Sequence, residues 1–301
     1  MKLITLKELL TDAQKRKYAL PAFSIITPEI VPTLIKVAEE ERSPIILHPR
    51  PVKEQFDYIR SLSEAAAIPI VLNLDHGRDF EVALRAIRLG FTSVMIDGSS
   101  LPFGENVSMT KKVVDAAHAV GISTEAELGH LAGRPDAHSI EDGDKGFLTE
   151  PSEAKAFIEN TGADCLAVSI GTAHGPYKFK GTPKLDIDRL LEIRRNVDVP
   201  LVLHGGSSVP QEIVAKAKKY GAQLGNMIGN TDEEIIKSID AGITKINIGT
   251  DLRLAYLAGL REILATKPEV TEIPQIFGAA NALAGEAARA RMRAFRSSGK
   301  A

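Results

Sequence analysis

The chain has 301 residues, 44% hydrophobic and 25% charged, with a formal net charge of −2. That is ample for one large core. The near-neutral balance argues against a nucleic-acid or membrane surface as main partner. No run approaches the roughly 18–20 apolar residues a membrane span needs, and a lone cysteine, Cys165, points to a reducing cytoplasm.

The opening MKLITLKELLTDAQKRKYAL has too short an apolar run for a signal peptide and reads as an amphipathic helix. Short runs rich in Val, Ile and Leu then recur as expected strands: PAFSI (21–25), PIILH (44–48), IPIVLNLD (68–75), TSVMIDG (92–98), STEAELG (123–129), DCLAVSIG (164–171), PLVLHGG (200–206) and TKINIG (244–249). Helix-like segments lie between most of them, at 28–41, 81–90, 106–120, 150–162 and 232–242. Such alternation predicts a parallel sheet buried on both faces. Eight units match an α/β fold of the (β/α)8 TIM-barrel type, with a doubly wound open sheet as its rival. No Pro-, Gly- or Ser-rich linker divides the chain, so residues 1–301 are read as a single barrel domain with a C-terminal helical extension. The basic stretch GEAARARMRAFRSSGK in that extension reads as a solvated amphipathic face.

Polar residues fall at or just past the strand ends: Ser24, His48, Asp75 with His76, Asp97, Glu127, His174, His204 and Asn247. In a barrel those ends converge on one face, where such enzymes place their active sites. A lone strand-end histidine is usually structural, and these three have no local metal spacing, so the inference depends on the barrel. Given the barrel, His76, His174 and His204 leave one position open, as a catalytic zinc site does. Asp97 and Glu127 are either a second metal site or the groups that orient the first ligands. HGGSS (204–208) and NIGTD (247–251) follow the last two strands, where barrels often bind phosphate through glycine-rich loops. GTAHGPYK adds Gly175 and Lys178 beside His174. Cys165 reads as a small buried hydrophobe. His118, His130 and His138 have no evident partner.

With these motifs in this order, the chain resembles the class II, metal-dependent ketose-bisphosphate aldolases over nearly its whole length. The resemblance is most specific in LDHG, SVMIDGS with PFGENV, STEAELG, GTAHGPYK, LVLHGGSSVP and KINIGTDLR. The segment before the last strand is similar to the subgroup that includes bacterial fructose-bisphosphate aldolases. The resemblance implies a catalytic zinc on His76, His174 and His204, with Asp97 and Glu127 lining an alternative metal position. It implies Asp75 as the acid/base at the C4 hydroxyl. Gly175, Lys178, Gly205, Gly206, Ser207, Asn247 and Thr250 would surround the phosphate of dihydroxyacetone phosphate, with a monovalent cation beside it. Arg253 matches an arginine that in the family reaches the far phosphate of a neighbouring subunit's substrate, which implies a homodimer or homotetramer. Cleaving C3–C4 of a ketose leaves an enediolate, whose charge a divalent Lewis acid stabilises.

The chain departs from the family's pattern in four places. The mobile-loop glutamate is matched by Pro135, with Asp136, Glu141, Asp142 and Asp144 as unranked substitutes. AFN appears as AFS, placing Ser24 where an amide is expected. The loop after the second strand, which touches the far phosphate in the family, is replaced by HPRPVKEQ, bringing in Arg50 and Lys53. Gly249 stands where fructose-bisphosphate aldolases carry an aspartate, and tagatose-type relatives also have a small residue there. These changes point to a ketose 1-phosphate other than fructose 1,6-bisphosphate, with a C6 phosphate, sulfonate or carboxylate near Arg50. The rival readings are a Schiff-base aldolase using Lys245 or Lys178, a metal-dependent epimerase or isomerase, and a non-catalytic partner barrel.

Overall fold

Local chemistry sets where the helices begin and end. Thr5 caps α1 (Leu6–Arg16), accepting from the Glu8 amide while the Glu8 carboxylate accepts from Thr5 N, a reciprocal box that satisfies two free donors. Asp79 caps α4 (Phe80–Leu89) and Thr231 caps α9 (Asp232–Asp240) through the same kind of bond. The structure, a computed structural model, describes residues 3–131, 146–173 and 184–301. The other helices are α2 (Val31–Glu41), α3 (Lys53–Ala65), α5 (Phe103–His118), α6 (Pro151–Thr161), α7 (Ile187–Asn196), α8 (Gln211–Lys219), α10 (Thr250–Thr266) and α11 (Ile273–Ala294).

The strands are β1 (Leu20–Ser24), β2 (Ile45–His48), β3 (Ile70–Gly77), β4 (Ser93–Ile96), β5 (Ser123–Leu128), β6 (Cys165–Val168), β7 (Leu201–Leu203) and β8 (Ile243–Ile248). They pair in parallel in chain order and close, with Leu20 of β1 opposite Lys245 of β8. The closure decides for the (β/α)8 TIM barrel, a single domain, over the open sheet.

One apolar cluster, including Phe23, Leu72, Val94 and Leu166, lies between the strands and the helices. A second fills the barrel interior: Leu6, Leu9 and Leu10 of α1 pack against Ile46, Val71, Cys165 and Val202. The amphipathic opening helix is therefore the plug at the strands' N-terminal end, and only the opposite end is free to form a site. Asp164 fixes this plug. Its carboxylate meets Lys7 Nζ at 2.9 Å, the Thr124 amide at 2.8 Å and His118 Nε2 at 2.8 Å. His118 thus has a structural partner.

The expected solvated face of the C-terminal extension is corrected. Arg289 pairs with Glu40 and Glu41, Arg293 with Glu41, and Arg296 with Asp240. Arg291, buried, pairs with Asp232 at 2.6 Å. Beneath them Gly285 lies so close to α2 that a Cβ would meet Thr33 Cγ2 at 2.9 Å. The charges clasp α11 onto the barrel. Among the described residues, no helix is long and apolar enough to cross a membrane.

Candidate active site

Neighbouring residues of a regular strand point to opposite faces, yet Asp75 and His76 both turn into the barrel mouth. A bulge makes this happen. β3 pairs in register with β4 through Leu74 and Val94, then slips so that Gly77 faces Ile96, leaving one extra residue on β3. His76 takes φ +45°, a left-handed conformation that costs a residue with a Cβ about 1–3 kcal/mol and gathers at functional sites. Bulges beside active sites re-aim side chains in this way. Gly77 is required after it, since a Cβ there would stand 2.3 Å from Met95 O.

Around this bulge the ligand-type atoms of Asp75, His76 and His204 lie within 4.8 Å of one another, and so do those of His76, Asp97 and Glu127. Asp97 Oδ2 holds His76 Nδ1 at 2.7 Å, and Asp97 Oδ1 accepts from the amide and hydroxyl of Ser99. The Ser99 hydroxyl also lies 3.2 Å from His130 Nδ1, which gives His130 its place. His204 Nε2 is 2.8 Å from Glu125 Oε1, while Nδ1 lies 3.0 Å from Glu127 Oε2. Asn247 Nδ2 donates to Asp75 Oδ1 at 3.0 Å, and His48 Nδ1 lies 3.2 Å from Asp75 Oδ2.

The electrostatics call for a cation. Burial alone would push His76 down, but Asp75, Asp97 and Glu127 outweigh it and raise its pKa to about 10. Burial opposes ionisation of Asp75, yet His48, His76 and Lys245 hold it well below the usual carboxylate range. Glu127 Oε2 is buried and, although His204 Nδ1 lies 3.0 Å away, forms no aligned hydrogen bond among the described residues, an arrangement that a cation between the two would relieve. Mixed imidazole and carboxylate donors suit zinc. The residues present fit a divalent ion.

Beside this cluster the ends of β7 and β8 approach closely. At Gly206 a Cβ would lie 2.2 Å from Ile246 Cγ2. The buried Asp251 carboxylate accepts from the amides of Ser208 and Val209 at 3.2 and 2.8 Å, and Asn230 Nδ2 donates to Gly205 O at 2.8 Å. These bonds hold Gly205, Gly206 and Ser207 next to Asn247, Gly249 and Thr250. There α10 begins, and a helix start presents free amides to an anion. Ser24 and Gly249, two of the departures, are neighbours: a Cβ on Gly249 would stand 3.1 Å from Ser24 Oγ. Arg253 lies in the first turn of α10, and Arg50 is exposed just past β2. His174, Gly175, Lys178 and His138, together with Pro135 and the four candidate loop acids, lie outside the described residues.

Sequence reasoning missed Glu125. Its signal is the spacing in STEAEL, where Glu125 and Glu127, two apart on a strand, share a face. Lys245 Nζ lies 2.9 and 2.8 Å from the two Glu125 oxygens, both side chains fully buried. Burial opposes ionisation of Glu125, but Lys245 and His204 bring its pKa down to about 2. This pairing opposes Lys245 as a Schiff-base nucleophile, which must be neutral. Breaking such a pair from one side costs about 3–5 kcal/mol, so Lys245→Met is expected to lose stability on that order in a urea titration. Borohydride is expected to trap no adduct on Lys245. A trapped adduct, or unchanged stability, would contradict this assignment.

A closed barrel whose mouth gathers histidines, carboxylates and glycine-rich loops belongs to the (β/α)8-barrel enzymes. Within them, the chain belongs to the class II fructose-bisphosphate aldolase family, whose model matches residues 4–300. It is an aldehyde-lyase of that family. It is 43% identical over 305 residues to a fructose-bisphosphate aldolase of Thermus caldophilus, covering 99% of this chain and 100% of that protein. A fructose-bisphosphate aldolase of Giardia intestinalis is 41% identical over 312 residues, covering 100% of this chain and 95% of that one. Among solved structures, the YdjI aldolase of Escherichia coli K12 has a TM-score of 0.81 at 29% identity, with both chains fully covered. A putative fructose-1,6-bisphosphate aldolase from Coccidioides immitis has a TM-score of 0.80 at 29% identity, covering 100% of this chain and 99% of that one.

Proposed function

We propose that the chain is a zinc-dependent aldolase that reversibly cleaves a ketose 1-phosphate to dihydroxyacetone phosphate and an aldehyde. The carrying observation is the β3 bulge, which sets Asp75 beside His76 opposite His204 and the unsatisfied Glu127. In this reading His76, His174 and His204 hold the ion, Asp97 and Glu125 orient the His76 and His204 rings, and Asp97 with Glu127 offers a second position. When bound, the ion supplies a Lewis acid at the C2 oxygen. The chain's own groups do the rest. Gly205, Gly206, Ser207 and Thr250, with Gly175 and Lys178, bind the C1 phosphate, and a monovalent cation sits beside it. Asn247 holds Asp75, which takes the C4 hydroxyl proton as the C3–C4 bond breaks and returns it in the reverse direction. The enediolate gains a proton at C3, from one of Asp136, Glu141, Asp142 and Asp144 in place of the family's loop glutamate, to give dihydroxyacetone phosphate. The proposed location is the cytoplasm. Arg253 serves a neighbouring subunit's site in a homodimer or homotetramer, and exposed Leu264, Ile273 and Phe277 offer apolar surface for self-association.

At the other end of the substrate, Gly249 and Ser24 leave room where the family carries larger polar groups. Arg50 supplies a fork suited to an oxyanion. Fructose 1,6-bisphosphate is therefore not expected to be the best substrate. The second reading is a fructose-1,6-bisphosphate aldolase proper, favoured by the names of the two relatives above 40% identity. Comparing kcat/KM for fructose 1,6-bisphosphate, tagatose 1,6-bisphosphate and 6-sulfofructose 1-phosphate decides between them. The expected result is a leader other than fructose 1,6-bisphosphate that is weakened in Arg50→Ala. A clear lead for fructose 1,6-bisphosphate with a silent Arg50→Ala would favour the second reading.

A further inference from the structure

His48 ends β2 opposite Ser24, and its side chain is only 2% exposed. It is also the first residue of the stretch that departs from the family's loop. Its buried Nδ1 lies 3.2 Å from Asp75 Oδ2, close enough for attraction but not aligned as a hydrogen bond, and it has no hydrogen-bond partner among the described residues. Its Nε2 lies 3.4 Å from Asn73 Nδ2, which is also 3.4 Å from Glu125 Oε2.

The amide of Asn73 decides the tautomer. Its nitrogen carries two hydrogens and stands between two acceptors, the imidazole nitrogen and the carboxylate. The opposite rotamer would set the amide oxygen against the Glu125 carboxylate. Nε2 of His48 therefore accepts, and the ring hydrogen sits on Nδ1, facing Asp75. Burial favours the same neutral ring, outweighing the pull of Asp75 and Glu125 towards a charged one.

An aspartate's terminal torsion is broad and roughly two-fold, so the single bond from Asn247 to Oδ1 leaves the carboxylate free to turn. We infer that His48 is a positioning residue for Asp75, its Nδ1–H set against Oδ2 and closing on it when the site is loaded, while Asn247 holds Oδ1, so that the carboxylate stays aimed at the substrate hydroxyl. The inference rests on the reading of Asp75 as the base. The path continues through Asn73 to the Glu125–Lys245 pair, which anchors the base to the barrel's rigid centre.

The test uses the full-length, zinc-loaded chain with His48→Asn, His48→Gln, His48→Ala and Asp75→Ala. Fructose and tagatose 1,6-bisphosphates serve as probes, and kcat, KM and bound zinc are read separately. An asparagine amide nitrogen reaches the place of the imidazole Nδ1, whereas a glutamine amide nitrogen reaches that of Nε2. His48→Asn is expected to keep kcat within about threefold. His48→Gln and His48→Ala are expected to lose about ten- to a hundredfold in kcat, as small misplacements of a catalytic group do, with KM and zinc nearly unchanged. Glutamine performing as well as asparagine, a loss confined to KM, or no loss in His48→Ala overturns the inference. Asp75→Ala separates the two levels. If it is inactive while every His48 variant is normal, only the positioning role fails; if it cleaves normally, the base assignment falls and the inference with it.

Discussion

Asp75→Ala is expected to keep its fold and its zinc while losing cleavage by about 10²–10⁴-fold, the usual contribution of a general acid–base group. Asp75 lies on the bulge of β3, a strand whose hydrogen bonds and apolar side chains do not depend on this carboxylate. The substitution takes the acceptor from Asn247 Nδ2 and the neighbour from His48 Nδ1. Both are buried, but the partly exposed Asp75 side chain leaves a space open to the mouth that water can fill in place of the lost acceptor. The loss is expected in kcat rather than KM, because the phosphate contacts on β7, β8 and α10 are untouched. Metal analysis with steady-state cleavage checks this. Near wild-type turnover, or loss of the ion together with activity, would show that Asp75 is not the base.

His204→Ala is expected to do more. It removes an imidazole from the cation site and leaves Glu127 Oε2 with one fewer neighbour. It also takes one partner from Glu125, which lies 2.8 Å from His204 and, among the described residues, keeps Lys245 and the more distant Asn73. The purified variant is expected to hold no stoichiometric zinc and to show no cleavage above background. Its stability is expected to fall by roughly 1–3 kcal/mol, as when a buried hydrogen-bonded group loses its partner. Zinc content by elemental analysis and a urea titration report the two effects separately. A variant that retains a full complement of zinc would remove His204 from the ligand set.

The barrel is legible in the sequence because buried parallel strands read as short apolar runs, and all eight stand out. Their inter-strand order follows from the alternation with helices. Helices α3, α7, α8 and α10 are harder to read. In α10, Leu252, Leu254, Ala255, Ala258 and Ile263 are buried between α8 and α11, so no single apolar stripe marks it. The strand-end rule finds Asp75, His76, Asp97, Glu127, His204 and Asn247. It does not explain how Asp75 and His76, adjacent in sequence, share one face. That depends on a one-residue register slip and a left-handed backbone at His76, which no periodicity displays. Glu125 and Asn73 lie deeper in the barrel than the C-terminal strand ends, so attention to those ends passes over them, and Lys245 is noticed only as a nucleophile and not as the partner of Glu125. Asp251 and Asn230 act on the backbone of the loop after β7, and only the folded loop reveals which amides and carbonyls they meet. The basic C-terminal stretch misleads for a related reason: its arginines resemble a solvated face until their partners Glu40, Glu41 and Asp232 arrive from distant parts of the chain.

The most direct measurement is a zinc titration into the chelator-stripped chain, following dihydroxyacetone phosphate released from fructose and tagatose 1,6-bisphosphates. Activity is expected to be near zero in the stripped chain and to rise linearly to a plateau at about one zinc per chain, as for a single catalytic site. Full activity in the stripped chain, with metal content near zero, would contradict it.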